Sequence, residues 1–337
     1  MTQTPQPDPV HVIDIANAFY QSATLFAALD LEVFELCRPD EPQSLERLCE
    51  KTGFDRRGLR LLLDACVALR LLDKNEAGAY TNTPTAEVFL SSRSPQCLAD
   101  AIRYNRDVYP AWARLPELVR TGRPVRQPKT HLGGDPEQTR QFVLAMHSRA
   151  MAIGQAVMDK IDFTGARRLL DVGGGPGTYA ALALDREPQL RATVIDLPPI
   201  LDVARTLHQD KPWQDRLEFL PGSYLEIEFP PQQDIIFFFG MFHQHSPDEI
   251  AQLLSKGYQA LRPGGRVYIL DMMTDASRTA PVFSTLFAIN MALVTPNGWV
   301  FSDDDLKQWL RNAGFSSMVC RTLPPPMPHW LMQALKF

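Results

Sequence analysis

The sequence predicts two domains: a mostly helical amino-terminal domain, then a doubly wound α/β domain with a largely parallel sheet. Three observations predict this fold class. The chain has 337 residues, 45% of them hydrophobic, which is long for one domain and sufficient for two cores. Apolar residues recur at helical spacing in the first half, whereas short apolar runs alternate with helical stretches in the second. A glycine cluster, 173–177, directly follows the first of these apolar runs, as in sheets that bind ligands at the carboxyl ends of their strands.

The amino-terminal region is predicted to begin with helix, because apolar and aromatic residues recur at helical intervals from Val12 to Leu36. The run is long for a lone surface helix, so we expect part of it to contact another element or another subunit. Two further helices, capped by Ser44 and Asp55, and a hairpin within 71–81 follow. Helix, helix and hairpin in this order form a winged-helix arrangement.

A winged helix raises the hypothesis of a DNA-binding regulator. The candidate recognition helix contains Arg56, Arg57 and Arg60, but also Asp55 and Asp64. A DNA-binding face is lopsidedly basic, since neutralising phosphates supplies most of the affinity. The balanced charge of this helix argues against DNA as the partner.

The middle of the chain is predicted to be helical. Residues 96–122 are expected to form helix with a break near Pro110, and the Pro- and Gly-rich segment 123–136 is expected to be a loop between the halves. A helix is predicted from Pro136 to Met158. The expected boundaries are 10–95 for the winged-helix domain, 96–160 for a helical linker that lines the substrate, and 161–337 for the α/β domain.

The α/β domain is predicted from alternating strands and helices. A capping box at Ser246 and Glu249 opens a helix to Leu261, which Pro263-Gly264-Gly265 is expected to end. A further helix is predicted over 303–312, and an antiparallel pair of strands is expected to close the sheet. The predicted strands are 169–172, 193–196, 217–220, 234–239, 266–270, 317–321 and 330–335.

The glycine turn predicts a nucleoside cofactor, because Gly173 and Gly175 place no Cβ between the backbone and a ligand across the strand end. Asp196, which ends the second strand, is placed to accept both hydroxyls of a ribose. A dinucleotide fingerprint would need glycine or alanine at Thr178. With Asp171 before the turn, the order acid-x-Gly-x-Gly-x-Gly instead resembles motif I of class I S-adenosylmethionine-dependent methyltransferases. A purely structural turn is the third alternative.

Three features agree: the glycine turn with Asp171, the acid Asp196 and the sequence Leu-Arg-Pro-Gly-Gly at 261–265. Together with the winged helix, they make the chain resemble the family of S-adenosylmethionine-dependent small-molecule O-methyltransferases over about residues 10–337. In that family a helical dimerisation domain precedes a Rossmann-like domain. The resemblance implies an enzyme with S-adenosyl-L-methionine as its cofactor and a homodimer formed through the amino-terminal domain.

The resemblance also implies roles for particular residues. His243 matches the general base that follows strand four, and Asp271 matches the acid that orients it. The implied cofactor-binding residues are Asp171, Gly173, Gly175, Asp196, Leu197, Gly222, Ser223, Tyr224 and Phe239. The implied substrate-binding residues, around a flat and fairly apolar acceptor, are Phe142, Met146, Asn290 and Met291.

The chain departs from the family pattern at four positions. Ser223 replaces an acid, Phe239 a basic residue, His245 a tryptophan, and Val300 a second acid that braces the base in plant members. The chain is also similar to a branch that methylates a ring carbon of a bacteriochlorophyll-type macrocycle, the bacteriochlorophyllide C-20 methyltransferases. Carbon methylation of an activated ring needs no strong base, and it is the alternative hypothesis.

Composition bears on partners and location. The net charge is -5 with acids and bases interspersed, so neither nucleic acid nor an anionic membrane is an expected partner. The five cysteines include no C-x-x-C pair, so we expect reduced thiols and no metal site. The start has no leader-like pattern and no apolar segment is expected to reach membrane-spanning length, which predicts a cytoplasmic protein. His147, His245 and His329 are expected to be structural or exposed to solvent.

Overall fold

The structure is a computed structural model that describes residues 7–126, 130–324 and 327–337. The chain divides between Asp107 and Val108 into two compact units. The first is mostly helical and the second is an α/β domain around a seven-stranded sheet. The predicted fold class is therefore confirmed.

The amino-terminal unit contains the predicted winged helix. Ser44 Oγ accepts a hydrogen bond from Arg47 N at 3.2 Å, and Asp55 Oδ1 accepts one from Gly58 N at 2.7 Å, so both helix caps form as predicted. Its core includes the buried side chains of Phe34, Leu48, Leu63 and Tyr80. The elements are α1 (Pro9–Asn17), α2 (Phe19–Asp30), α3 (Val33–Leu36), α4 (Leu45–Thr52), α5 (Arg56–Ala68), β1 (Leu72–Lys74), β2 (Tyr80–Asn82) and α6 (Pro84–Leu90).

The first two helices expose apolar side chains to solvent. Val12 is 66% exposed, Ile15 is 64% exposed and Phe19 is 49% exposed. Within the described residues, the segment Pro9–Asp30 is long and apolar enough to cross a membrane by length and composition, with 11% of it buried. This corrects the expectation that no apolar segment reaches that length. Helices that bury one face against another protein chain have the same composition.

The second unit has the strand order β5-β4-β3-β6-β7-β9-β8. Strand β9 pairs antiparallel with both of its neighbours, β7 and β8, and the other neighbouring strands pair in parallel. The chain winds outward from β3 to β5 and then returns to β6 beside β3, so the order reverses between β3 and β6. Ligands of doubly wound sheets bind at the carboxyl ends of the strands at such a reversal. Apart from α7, which contains the division between the units, the elements belong to the second unit: α7 (Ala99–Trp112), α8 (Leu115–Thr121), α9 (Pro136–Met158), β3 (Arg168–Val172), α10 (Thr178–Arg186), β4 (Arg191–Asp196), α11 (Pro198–Leu207), β5 (Leu217–Pro221), β6 (Gln233–Phe239), α12 (Pro247–Ala260), β7 (Leu261–Asp271), α13 (Val282–Val294), α14 (Asp303–Asn312), β8 (Ser316–Thr322) and β9 (Trp330–Leu335).

The structure bears out one local prediction and corrects another. The predicted break near Pro110 lies at residues 113–114, between α7 and α8, and Pro110 itself lies in the last turn of α7. Strand β7 begins at Leu261 rather than Arg266, because Leu261 pairs with Gln233 before the register shifts. The Pro-Gly-Gly segment therefore lies inside an irregular strand.

Two predicted connections fall partly outside the described residues. Positions 127–129 of the predicted loop 123–136 lie outside them, and Thr130–Gly134 forms a helical turn. Positions 325 and 326 of the predicted connection before β9 also lie outside them. The sequence prediction omitted α13 altogether, because a helix that is apolar on most sides shows no amphipathic period.

Candidate active site

The glycine turn at the end of β3 is held in a left-handed conformation. Gly173 has φ +65° and Gly175 has φ +54°, a region that residues with a Cβ rarely adopt. Gly173 N donates to Ile195 O at 2.9 Å, which ties the turn to β4. A Cβ added to Gly174 would lie 2.6 Å from Asp171 Cγ. The turn therefore packs directly on the Asp171 carboxyl group.

Asp196 joins this turn to the start of α11. Its Oδ2 accepts from Gly175 N at 2.8 Å, and its Oδ1 accepts from Leu197 N at 2.7 Å. An ionised carboxylate has lone pairs beyond these two bonds, so Asp196 can accept further hydrogen bonds from a ligand. The predicted cofactor residues Gly175, Asp196 and Leu197 are thus brought together.

The fully buried Asp171 and the half-buried Asp196 form an acidic pair. Asp171 is fully buried, and within the described ranges neither of its oxygens has a hydrogen-bond partner. Burial, reinforced by the charge of Asp196 and opposed by the nearby Ala180 amide, raises the pKa of Asp171 to about 7. Burial likewise raises the pKa of Asp196 to about 6, against the effect of the Leu197 and Gly175 amides. A ligand that brings hydrogen-bond donors or positive charge would offset the unfavourable burial of this pair.

The next strand end contributes a second wall. Gly222, with φ +152°, donates its N–H to Asp196 O at 2.9 Å, and a Cβ there would lie 2.6 Å from Ile227 Cγ2. The ring of Tyr224 lies 3.2 Å from the position that a Cβ on Gly173 would occupy. Tyr224, two residues after Gly222, therefore lies against the glycine turn.

Phe239, the last residue of β6, is placed differently. It is 7% exposed, stacks on Phe237 with ring centroids 4.2 Å apart and meets Tyr179 edge-on at 5.0 Å. These contacts belong to the core of the sheet. Its cofactor-binding role stays a prediction.

His243 and Asp271 form a buried pair at the ends of the adjacent strands β6 and β7. Asp271 is the last residue of β7, and His243 lies in a short helical turn, Phe242–Gln244, after β6. His243 Nδ1 lies 2.7 Å from Asp271 Oδ1, and His243 N donates to Asp271 Oδ2 at 3.3 Å. Met272 N also donates to Asp271 Oδ1, at 2.8 Å. The carboxylate thus holds both the backbone and the ring of His243.

Two residues that the sequence analysis missed also hold His243. The ring of Phe287, from α13, meets the imidazole edge-on with centroids 5.1 Å apart. Trp299 N donates to His243 O at 3.0 Å, and Trp299 Nε1 donates to His245 O at 2.7 Å. No local motif marks either residue, because each reaches the site through a tertiary contact.

The predicted acceptor residues lie on two helices. Asn290 and Met291 are on α13, where Asn290 Oδ1 accepts from Trp112 Nε1 at 3.0 Å and Met291 is 5% exposed. Phe142 and Met146 are half-buried, one turn apart on α9. Their substrate roles stay predictions. The packing of Phe287 on His243 places α13 beside the candidate base.

Three other histidines lie around the site, of which His208 is buried, whereas His147 and His329 are half-buried. His147 Nδ1 lies 2.8 Å from Thr178 Oγ1, and His208 Nε2 lies 2.8 Å from Pro176 O, so both contact the glycine turn or the helix that follows it. Burial lowers the pKa of His329 to about 4, beside Asp271 and His243. No motif in the sequence marks His208.

The chain is similar to known proteins in both of its predicted domains. The family model of the O-methyltransferase domain matches residues 112–316, and that of the O-methyltransferase dimerisation domain matches residues 13–92. The chain is 32% identical over 314 residues to the tetracenomycin polyketide synthesis 8-O-methyl transferase TcmO of Streptomyces glaucescens, covering 92% of each chain. It is 28% identical to acetylserotonin O-methyltransferase of Bos taurus, covering 91% of this chain and 92% of the relative.

The fold is similar to a solved structure over almost its whole length. Human N-acetylserotonin methyltransferase, solved in complex with SAM, superposes with a TM-score of 0.87 at 25% identity and covers 99% of both chains. The first family model alone spans more than half of this chain. The chain therefore belongs to the O-methyltransferase family, with a dimerisation domain followed by a methyltransferase domain.

Proposed function

We propose that this protein transfers the methyl group of S-adenosyl-L-methionine to a hydroxyl group of a flat, aromatic small molecule, with His243 as the general base and Asp271 orienting it. The observation that carries this proposal is the 2.7 Å contact between His243 Nδ1 and Asp271 Oδ1 beside the glycine turn of the same sheet. Family membership supplies the reaction class.

The residues of the glycine turn fit the cofactor. Asp196 retains acceptor capacity suited to ribose hydroxyls, and the left-handed glycines let a nucleoside lie against the backbone. The unpartnered carboxylate of Asp171 favours a cationic ligand, and S-adenosylmethionine carries both an ammonium and a sulfonium group. The binding of SAM by the human relative supports the same assignment. Leu197, Ser223 and Tyr224 complete the proposed nucleoside pocket.

The His243–Asp271 pair supplies the proton chemistry. When bound, the cofactor provides a methyl group activated by the positive sulfur. The Asp271 carboxylate accepts the Nδ1–H of His243, which leaves a lone pair on Nε2. Nε2 could then take the proton of an acceptor hydroxyl while the methyl group would pass from sulfur to the hydroxyl oxygen, which would leave S-adenosylhomocysteine. The Asp271 carboxylate is held in place, because it is buried and accepts hydrogen bonds from two backbone amides.

The surroundings of the pair exclude water and position the acceptor. His243 is 8% exposed and is covered on one side by Phe287. Holding two reactants in line in a dry site contributes more to rate than the proton transfer alone. We place Phe142, Met146, Asn290 and Met291 along the acceptor ring. The relatives' names, a polyketide 8-O-methyl transferase and an acetylserotonin O-methyltransferase, support a hydroxyl on a ring compound.

The amino-terminal unit is proposed to form a homodimer. The family model that matches residues 13–92 is a dimerisation domain, and the exposed apolar side chains of α1 and α2 lie at its start. A second copy of this chain would remove those side chains from water. We place the enzyme in the cytoplasm, in keeping with five free cysteines.

The proposal is tested by incubating purified protein with S-adenosylmethionine and a panel of acceptors, and then analysing products by mass spectrometry. The panel contains 2-naphthol, N-acetylserotonin and a magnesium-free tetrapyrrole. Methyl ethers formed from hydroxyl compounds support the proposal. A product methylated on a tetrapyrrole carbon would instead establish the alternative reaction, and failure of the protein to bind S-adenosylhomocysteine would overturn the cofactor assignment.

A further inference from the structure

We propose that Glu249, His245 and Tyr224 form a hydrogen-bonded relay that positions the Tyr224 ring against the glycine turn and so sets the affinity for the cofactor. This inference rests on the proposed function, since it concerns the proposed nucleoside pocket. His245 and Glu249 are positioning residues in this relay and need not touch the cofactor. The sequence alone predicts only a structural or solvent role for His245.

The contacts form a continuous chain. Tyr224 Oη lies 2.9 Å from His245 Nε2, and His245 Nδ1 lies 3.4 Å from Glu249 Oε2. The rings of Tyr224 and His245 meet edge-on, with centroids 5.5 Å apart. At the other end of this series of contacts, the Tyr224 ring lies 3.2 Å from the position that a Cβ on Gly173 would occupy. A carboxylate on α12 is thereby connected to the wall of the proposed pocket.

The ionisation of these groups fixes the direction of the hydrogen bonds. Burial opposes the charge of Glu249, but hydrogen bonds from Ser246 and His245 outweigh it and lower the pKa of Glu249. Burial lowers the pKa of His245, so its ring is neutral at pH 7. An ionised carboxylate only accepts, so His245 carries its hydrogen on Nδ1 and its Nε2 must accept. The Tyr224 hydroxyl therefore donates to His245, which fixes both the ring and the hydroxyl hydrogen.

The backbone on both sides of the relay is also fixed. Lys256 Nζ donates to Tyr224 O at 2.7 Å and to Leu225 O at 3.2 Å, and Gln252 Nε2 donates to Leu225 O at 3.0 Å. Glu249, Gln252 and Lys256 follow one another at intervals of three and four residues, so they lie on one face of α12. This face of α12 is hydrogen-bonded to the loop that contains Tyr224.

The relay also lies beside the candidate base. His245 follows His243 by two residues, and Trp299 donates hydrogen bonds to the carbonyl oxygens of both. The segment that presents His243 to the acceptor is therefore the same segment that holds Tyr224. We infer that the pocket wall and the base are positioned together by this short turn.

The relay is tested by measuring the dissociation constant of S-adenosylhomocysteine by titration calorimetry. Tyr224→Phe removes only the hydroxyl, and His245→Phe keeps a ring without nitrogen. Each is expected to weaken binding about tenfold, since each breaks the same buried hydrogen bond. The double variant is expected to bind no more weakly than either single variant, because both changes remove one shared interaction. A hundredfold loss in the double variant, the product of two independent effects, would overturn the relay.

Glu249 requires a matched control, because it also completes the capping box of α12. Asp305 completes an equivalent capping box with Ser302 in α14 and has no contact with the relay in the bonds described. Glu249→Ala and Asp305→Ala are both expected to lower the melting temperature, but only Glu249→Ala should weaken binding of S-adenosylhomocysteine. Glu249→Gln keeps an acceptor oxygen and a capping group, so it is expected to restore near-native affinity. Native affinity in Glu249→Ala would contradict the proposal.

Failure of the relay and failure of the proposed function are distinguishable. If the unchanged protein does not bind S-adenosylhomocysteine, the cofactor assignment is wrong. The Tyr224→Phe and His245→Phe cycle can then be run on the midpoint of urea unfolding, which needs no ligand. Shifts that add independently there would show that the two side chains are not coupled and would refute the relay itself.

Discussion

His243 Nδ1 and Asp271 Oδ1 lie 2.7 Å apart, although 28 residues separate them in the chain. Parallel pairing of β6 with β7 brings them together. Phe239 pairs with Leu270, so the polar residues that follow this pair along the chain, His243 and Asp271, lie at the same edge of the sheet. The pair lies beside the strand ends that carry the glycine turn and Asp196.

Replacing His243 with alanine should lower kcat by about 10²- to 10⁴-fold, the range by which a positioned general base accelerates proton transfer. The dissociation constant of S-adenosylhomocysteine should stay within about twofold, since no contact joins His243 to the glycine turn in the bonds described. Steady-state kinetics and calorimetry check the two parts. Unchanged turnover would show that positioning alone suffices, as expected for carbon methylation.

Replacing Asp271 with asparagine should lower kcat by about 10²-fold or more. The amide N–H of asparagine can donate to Nδ1, which would place the imidazole hydrogen on Nε2 and leave no lone pair for the acceptor proton. In a His243→Ala background the same change should lower kcat little further, because both residues act as one unit. Additive losses in the double variant would indicate a separate role for Asp271.

Replacing Asp196 with alanine should weaken binding of S-adenosylhomocysteine about 10- to 100-fold, the range expected for losing hydrogen bonds to a charged group. Its bonds to Gly175 and Leu197 would be lost as well, so the turn would also be less ordered. Asp202→Ala is the matched control: Asp202 lies on α11, is exposed, and pairs with Arg205. Equal effects of the two substitutions would show that Asp196 has no special part in binding.

Asp171 should stabilise the cofactor-free protein at low pH, and this contribution should be lost as pH rises from about 4 to about 7. The pKa of Asp171 is raised from 3.8 to about 7 by burial, so the unfolded chain releases this proton at a lower pH than the folded one. Between those values the folded state binds more protons, and raising pH therefore favours unfolding, by a few kcal/mol at about 1.4 kcal/mol for each pKa unit. Urea unfolding at several pH values measures this.

Asp171→Asn should remove this contribution, because the amide does not titrate, whereas Asp196 and His329 still titrate in both proteins. Binding of S-adenosylhomocysteine should also restore part of the stability that the free protein loses at pH 8, because the ammonium group of the ligand offsets the charge of Asp171. A pH profile that is the same in both proteins would show that Asp171 keeps an ordinary pKa.

Replacing Ile15 or Phe19 with glutamate should convert a dimer into a monomer, because a charge in an apolar interface is costly to bury. Both side chains are largely exposed in the single chain, at 64% and 49%. Light scattering after size exclusion measures the mass. Val319→Glu, at an exposed apolar position on β8, should leave the dimer intact. A monomeric unchanged protein would contradict the proposed assembly.

The sequence determined the elements whose signals are local. Capping residues such as Ser246 and Asp55 and the glycine turn at Gly173 specify where a chain stops one conformation and starts another, so these elements were predicted to within about two residues. Apolar runs such as β6 also predicted buried strands, because a parallel strand covered on both faces is apolar along its length. The reversal of strand order, and hence the edge where the site lies, followed from the order of these elements.

Only the tertiary structure decided which distant side chains meet. No local pattern connects Phe287 or Trp299 to His243, or Tyr224 to His245, because these contacts depend on how α13, the 295–302 segment and α12 pack on the sheet. The uniformly apolar sequence of α13 shows no helical periodicity of hydrophobic residues. The start of β7 depended on the pairing of Leu261 with Gln233. Local chemistry thus fixed the elements, whereas burial and long-range packing fixed the hydrogen-bond partners that make the site.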